Sequence, residues 1–111
     1  MSDLFEELAG INKLIHEPAR LAILTALSVC KSTDFTYLQR LTGLTQGNLS
    51  GHLSKLEEAG YLVITKQISG KRPLTTISIT PSGRQAIESH WAGLERIRDQ
   101  ARSWQPDDRQ A

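Results

Sequence analysis

The sequence lacks the features that mark membrane, secreted and disulfide-stabilised proteins. Among its 111 residues there is a single cysteine, Cys30, so no disulfide can form within the chain. No apolar run approaches the ~18–20 residues needed to span a bilayer. The N-terminal segment MSDLFEELAG is acidic and has neither the basic start nor the apolar core of a signal peptide. These absences favour a reducing, cytoplasmic setting without membrane contact.

Residues suited to enzymatic or metal chemistry are also scarce. The three histidines, His16, His52 and His90, lie far apart, and no Ser/His/Asp or Cys/His constellation is evident. The segment SGKRP lacks the P-loop pattern. Cys30 is better explained as a small packed residue than as a nucleophile, and Glu88 and His90 fall on different helix faces. We therefore expect a protein that is not an enzyme and that holds no metal or cofactor.

The net charge is small, but its distribution along the chain is uneven. The chain carries 13 Lys and Arg against 12 Asp and Glu, a formal charge of +1. Residues 31–72 hold six basic against three acidic residues, an excess of +3, whereas residues 1–30 sum to −2 and residues 73–111 to zero. The positive charge is therefore concentrated in the middle of the chain, although the chain as a whole is nearly neutral.

Apolar spacing predicts helices at both ends of the chain. Steps of three and four residues predict a helix over about 3–15, weakened at Gly10, and a long helix over about 81–103. A buried central helix is predicted from Pro18 onward, since proline suits the first turn of a helix. Residues 104–111 are polar and are expected to form a flexible tail.

Between these helices the sequence predicts two short helices joined by a tight turn. Either Thr33 or Asp34 can cap the first helix, and Gly43 suits its end in the left-handed conformation. Thr45 can cap the second helix, in which every third or fourth residue is leucine. This spacing is typical of a helix-turn-helix over about 34–59.

A β-hairpin is predicted directly after the helix-turn-helix. The run YLVITKQI is rich in β-branched residues, and LTTISIT returns after the turn SGKRP, which together predict a hairpin over about 61–79. A helix-turn-helix followed by such a hairpin, or wing, is a winged helix. We therefore expect one domain over 1–103 that is mainly α with a small β-hairpin.

Two motifs make this expectation more specific. The run LSGHLSKLEEAGYL and, after the wing, TPSGR are similar to segments of winged-helix transcription regulators of the MarR/ArsR type. The resemblance covers roughly residues 14–95 and is greatest to the stand-alone winged-helix DNA-binding proteins of that group. It implies a homodimeric repressor, a pseudo-palindromic double-stranded DNA operator and, by analogy, a small-molecule effector.

The predicted second helix and wing carry side chains that suit DNA. The recognition helix over 45–59 would enter the major groove, where Gln and Asn pair with adenine and Ser bonds several base edges. The wing over 66–74 would place basic side chains on phosphates or in the minor groove. The residues predicted to contact DNA are Thr45, Gln46, Gly47, Asn48, Ser50, Gly51, His52, Ser54, Lys55, Lys66, Lys71, Arg72 and Arg84.

Several of these assignments have structural alternatives. The outward glycines Gly47 and Gly51 indicate either close approach to a partner or a surface helix of poor propensity. A basic turn can simply be solvated. Arg84 can contact phosphate or brace the wing, and Thr45 is expected both to cap its helix and to bind phosphate.

The terminal helices present apolar stripes that one small domain has no obvious place to bury. A two-fold dimer built from them would place two recognition helices about 34 Å apart; alternatively, both stripes pack on the chain's own core. The predicted interface residues are Leu4, Phe5, Leu8, Ile11, Ile87, Trp91, Leu94, Ile97, Ala101 and Trp104. An alternative function is a protein–protein interaction module. An apolar outward face on residues 45–58 would favour it, and the sequence has no such face.

Overall fold

A computed structural model of the chain describes residues 3–105. Most of the predicted tail over 104–111 lies outside the described residues, and Trp104 and Gln105 are not helical. In chain order the elements are α1 (Asp3–Ala9), α2 (Pro18–Cys30), β1 (Ser32–Asp34), α3 (Phe35–Thr42), α4 (Gln46–Glu58), β2 (Leu62–Ser69), β3 (Arg72–Ile79) and α5 (Pro81–Ser103). The predicted class, mainly helical with a small sheet, is confirmed.

Local side-chain capping explains where four of the helices begin. At the N-terminus of each helix from α2 to α5, one side-chain oxygen accepts the N–H three residues later and so satisfies a donor that the helix leaves free. The capping residues and their N···O distances are Glu17 at 2.9 Å, Asp34 at 2.7 Å, Thr45 at 3.1 Å and Thr80 at 2.9 Å. Proline follows the cap at the start of both α2 and α5, where its missing N–H is no loss.

The sheet has three strands rather than the two predicted. Its order is β1-β3-β2, and both pairings are antiparallel. The extra strand β1 pairs Ser32 with Ser78 and Asp34 with Thr76. Lys31 reverses the chain before it with a φ of 68°, and its carbonyl accepts the Ile79 N–H at 3.0 Å. The three-residue strand escaped prediction because its partner lies far along the sequence.

The hydrophobic core lies between α2, α3, α4 and the sheet. Eleven apolar side chains are fully or almost fully buried there, and only one of them comes from α5. The members of this cluster are Ile15, Ile23, Leu24, Leu27, Leu38, Leu49, Leu53, Leu56, Leu62, Ile77 and Ile87. The α5 segment after His90 therefore has no part in the cluster. Trp91 at its start still donates from Nε1 to Thr25 Oγ1 of α2 at 3.2 Å, and α5 also packs beside α1.

The predicted helix over 3–15 is wrong in its second half. Helix α1 ends at Ala9, and Gly10 donates to the carbonyls of the preceding turn. Asn12 then bends the chain, since its side-chain Oδ1 accepts the Leu14 N–H at 3.0 Å. This bend turns Ile15 into the core, where its side chain is only 1% exposed.

The folded chain is elongated for its length. Its Cα radius of gyration is 17.8 Å, whereas a compact domain of this size is expected near about 13 Å. The described residues contain no helix with the length and apolar composition that crossing a membrane requires. We call residues 3–11 and 91–104 the arm, because they lie outside the core cluster and Phe5 of the first segment packs on Trp104 of the second.

Candidate nucleic-acid interface

Helix α4 separates a buried leucine row from a polar outward face. Leu49, Leu53 and Leu56 are at most 2% exposed, and they anchor the helix on the core. The residues on the outward face of α4 are all exposed. Seven of the residues predicted to contact DNA therefore lie on the solvent side of this one helix. They are Gln46, Gly47, Asn48, Ser50, Gly51, Ser54 and Lys55.

Neither glycine on this face is required by packing within the described chain. A Cβ placed on Gly47 or Gly51 would meet no atom within 4 Å, and neither residue has a positive φ. Thr45 is exposed at the start of the helix, where its Oγ1 accepts the Asn48 N–H. The capping role predicted for Thr45 is confirmed, and its contact with phosphate stays a prediction.

The wing is a two-stranded ribbon that extends beyond the core. Lys66 is paired with Thr75, in the same alternating row as the buried Leu62. The turn is tighter than predicted, because Arg72 already pairs with Ser69 as the first residue of β3. Only Gly70, with a φ of 67°, and Lys71 remain in the turn.

A cleft of about 1120 Å³ lies between the wing and the helices α3 and α4. Gln46, Ser50 and Ser54 of α4 line one side, and Lys66 and Arg72 of the wing line the other. Residues that are separate in sequence therefore share one surface. The cleft brings polar side chains that suit base edges beside cations that suit phosphates.

Helix α3 contributes cleft residues that the sequence analysis missed. Tyr37, half exposed, and the exposed Arg40 line the cleft opposite the wing. The available signal was that Arg40 lies two positions after the buried Leu38, on the other face of the helix. Glu57 also lines the cleft, so the surface is not uniformly positive.

All charged side chains of the wing are basic. Residues 59–87 contain no Asp or Glu, and they hold Lys66, Lys71, Arg72 and Arg84. The first three are exposed on the ribbon. A protruding ribbon with cations and no acids is electrostatically matched to a polyanion.

His52 is turned away from the predicted DNA face. Its Nδ1 lies 3.1 Å from Arg20 Nη1 and 3.9 Å from Glu17 Oε1, both near the start of α2. The Arg20 Nε in turn donates to the Leu14 carbonyl at 2.6 Å. The Arg20 N–H and, less strongly, the His52 charge hold the pKa of Glu17 below its usual value. His52 therefore joins α4 to the chain before and at the start of α2, and its predicted contact with DNA stays a prediction.

Arg84 is also engaged inside the fold. Its Nη1 donates to the Ser28 carbonyl at 2.8 Å, near the end of α2, where helix carbonyls lack partners. The side chain therefore braces α5 against α2, and its predicted contact with phosphate or brace of the wing stays a prediction.

The residues predicted for a dimer interface divide into two groups. Ile87 and Leu4 are buried within the chain, at 1% and 8% exposure, so their assignment to an interface is corrected. Ile87 points into the core because α5 is still adjacent to α2 there. The remaining residues lie on the arm and are half-buried or exposed. They are Phe5, Leu8, Ile11, Trp91, Leu94, Ile97, Ala101 and Trp104.

An aromatic contact joins the two segments of the arm, and a pair of histidines lies at its base. Phe5 and Trp104 pack edge to face with ring centroids 5.7 Å apart. His16 Nδ1 lies 3.1 Å from Nε2 of His90, and burial together with the charge of His16 lowers the pKa of His90. Within residues 3–105, no three His, Cys, Asp or Glu side chains are grouped as metal ligands.

Comparison with known proteins agrees with this geometry. A family model for a winged helix DNA-binding domain matches residues 19–98. An uncharacterized protein of Methanocaldococcus jannaschii is 37% identical over 78 residues, which make up 70% of this chain and 85% of that protein.

Two solved structures extend the comparison. A transcriptional regulator homologue from Pyrococcus horikoshii is 32% identical, with a TM-score of 0.79 over 85% of this chain and 95% of that one. A probable transcriptional regulator from Pseudomonas aeruginosa is 26% identical, with a TM-score of 0.67 over 90% of this chain and 72% of that one. The family expected from sequence is thus confirmed, and the chain belongs to the winged helix DNA-binding domains.

Proposed function

We propose that the protein is a homodimeric, sequence-specific DNA-binding repressor. Helix α4 lies in the major groove, and the wing lies on the adjacent backbone or in the minor groove. The observation that carries this proposal is the shared cleft, which joins the polar α4 face to the cations of the wing. Base edges and phosphates are the two chemistries that a DNA-reading surface must meet together.

The N-terminal part of α4 supplies the base-reading side chains. Gln46 and Asn48 are exposed in the first turn, which is the part of a recognition helix that reaches base edges. Both amides can pair with adenine through two hydrogen bonds, and Ser50 can bond several bases. Thr45, at the positive end of the helix dipole, is placed to bind a phosphate.

The cations around the cleft supply the phosphate contacts. Lys66, Lys71 and Arg72 lie on the wing, and Arg40 lies across the cleft on α3. Contacts from two sides would fix the position of α4 along the groove.

Dimerisation through the arm completes the proposal. The arm lies outside the core and exposes the aromatic rings of Phe5, Trp91 and Trp104 by 43–56%. Two oxygens at its α1/α5 junction, Glu7 Oε2 and Gln100 Oε1, are shielded from solvent and have no hydrogen-bond partner among the described residues. A second copy packed on this face would bury the rings. The resulting two-fold dimer matches a pseudo-palindromic operator.

A small-molecule effector, proposed by family analogy, would act on this dimer. Such a ligand changes DNA affinity only if it binds the DNA-competent and the incompetent dimer with different affinities. Without effector, the dimer would repress by occupying its operator.

The proposed DNA-binding function is tested by the salt dependence of binding to duplex DNA taken from upstream of the protein's own coding sequence. Replacing Lys71 and Arg72 by Ala removes four wing charges per dimer, so the slope of log K against log salt should fall by roughly 3–4 units. The matched control removes two exposed cations from the arm, as Arg98→Ala with Arg102→Ala, and should leave the slope unchanged provided that sedimentation shows the wild-type oligomer. An unchanged slope in the wing variant would contradict the wing contact.

The same titration tests the whole proposal. A folded dimer that binds no duplex at low salt would overturn the regulator function and favour the protein–protein module instead. Sedimentation of the wild-type chain reports the dimer independently, and a monomer at the concentrations used for binding would contradict the arm interface.

A further inference from the structure

The tip of the wing carries an apolar pair that phosphate contacts do not explain. Ile68 and Pro73 are direct partners across the hairpin, and Ile68 is 75% exposed. Pro73 is also exposed. The third strand pairs with β3 only at residues 76–78, so nothing in the sheet covers the tip. A solvated hairpin tip would be expected to carry a polar side chain at position 68, and proline beside the turn leaves Ile68 without apolar cover.

Strand register relates this pair to the cleft. Ile68 continues the alternating row of Leu62, Ile64 and Lys66 along β2. The row begins in the core, and Ile64, Lys66 and Pro73 all line the cleft. The apolar pair therefore lies at the outer end of the same surface that carries the proposed DNA contacts.

The surrounding charge identifies the partner. Lys66 precedes Ile68 by two residues, and Lys71 and Arg72 follow it directly across the turn, with no acid anywhere in residues 59–87. Apolar side chains ringed by cations suit a polyanion that also offers apolar surface. Duplex DNA offers this combination in the minor groove, where phosphates flank deoxyribose and base edges.

We propose that Ile68 and Pro73 form an apolar wedge that enters the minor groove beside the segment contacted by α4. This inference rests on the proposed DNA-binding function and adds a contact to it. The wedge packs on deoxyribose and partly unstacks a base step, which favours flexible pyrimidine–purine steps. Because the wedge carries no charge, its contribution to affinity is independent of salt, unlike that of Lys71 and Arg72.

The test compares two conservative substitutions on the same strand. Ile68→Thr keeps a β-branched residue and removes apolar surface at the tip. Val63→Thr does the same at a half-exposed position of β2 whose side chain alternates to the other face. Ile68→Leu keeps the apolar surface and serves as the rescue variant. Thermal unfolding of each variant checks that the fold is retained.

Binding is measured by anisotropy at several salt concentrations. The duplexes carry 2-aminopurine at single steps beside the α4 site, and its fluorescence rises when a base unstacks. Ile68→Thr should weaken binding by roughly 5- to 30-fold, leave the salt slope unchanged and abolish the fluorescence rise. Val63→Thr and Ile68→Leu should behave like the wild type.

The outcomes separate the wedge from the proposed function. If the wild type binds DNA but Ile68→Thr binds within twofold of it, or keeps the fluorescence rise, the wedge is overturned and the DNA-binding function stands. If the wild type binds no duplex, the proposed function fails first. A reduced salt slope in Ile68→Thr would also overturn the wedge, since it would show that the substitution acts through the neighbouring cations.

Discussion

Gly51 is the position that best separates a DNA-contacting helix from an ordinary surface helix. It lies in the middle of α4, is exposed, and has open space where a Cβ would stand. Nothing in the described fold therefore requires glycine there. Replacement by alanine should stabilise the folded chain by about 1 kcal/mol, because alanine loses less backbone freedom in a helix. For a domain of this size the melting temperature should rise by roughly 4–8 °C.

The same substitution should weaken DNA binding. If α4 approaches the floor of the major groove as closely as a bare backbone allows, an added methyl group overpacks the contact. Overpacking costs about 1–3 kcal/mol per recognition helix, which corresponds to roughly a 5- to 150-fold loss of affinity. Because a two-fold dimer has two recognition helices, it loses twice this amount of binding free energy. Stability and affinity should thus change in opposite directions.

Gly93→Ala is the matched control. Gly93 lies inside α5, where a Cβ would make only an ordinary 3.5 Å contact with Arg96 Nη2. This variant should be stabilised without loss of DNA affinity, provided that sedimentation shows the wild-type oligomer. Circular dichroism melts and anisotropy titrations at one salt concentration measure both effects. A Gly51→Ala protein that is more stable and binds DNA as tightly as the wild type would refute the close approach of α4.

Three further predictions concern the fold. Gly83→Ala should destabilise the chain by about 1–3 kcal/mol or more in urea unfolding, since a Cβ there would overlap the Tyr61 carbonyl; an unchanged midpoint would contradict this packing. Thr45→Ala should cost about 1 kcal/mol in the same assay through loss of the α4 cap, whereas Thr45→Asp should retain it; equal stability of the two would argue against the cap. Burial and the charge of His16 lower the pKa of His90, so the unfolded chain binds a proton more readily than the folded chain. The free energy of unfolding should therefore fall as pH drops below about 6.5, by at most about 1.4 kcal/mol per pH unit. His90→Gln should flatten this dependence, and an equally steep fall in that variant would exclude His90 as its source.

Features that depend on neighbouring residues could be predicted from the sequence. The leucine row of α4, the cap at Thr45, the cap of α3 at Thr33 or Asp34 and the end of α3 at Gly43 all follow from side chains within one or two helical turns. The hairpin is also local, because its strands are joined by a short turn. Together these features determined the winged-helix arrangement and the side of α4 that faces outward, whereas the family came from the resemblance of LSGHLSKLEEAGYL and TPSGR to known regulators.

Features that depend on contacts between residues far apart in the sequence could not be predicted from it. Strand β1 exists only because β3 lies beside it, and Arg40 became a cleft residue only when α3 packed next to α4 and the wing. The sequence predicted DNA contacts for His52 and Arg84, but it did not reveal that each meets a partner on α2. The position of a residue in the sequence does not reveal which distant group will bury its side chain or hydrogen-bond to it.

The sequence by itself thus determined the helix-turn-helix, the hairpin, the long C-terminal helix and their order, since periodicity, capping and turn chemistry act over a few residues. It also located the positive charge in the middle of the chain, and its motifs indicated the family. Tertiary structure alone decided which polar side chains remain available to DNA. It bound His52 and Arg84 internally, buried Ile87, added Arg40 to the cleft and left Ile68 exposed at the wing tip. Those outcomes depend on packing between elements, which brings together residues that no local pattern relates.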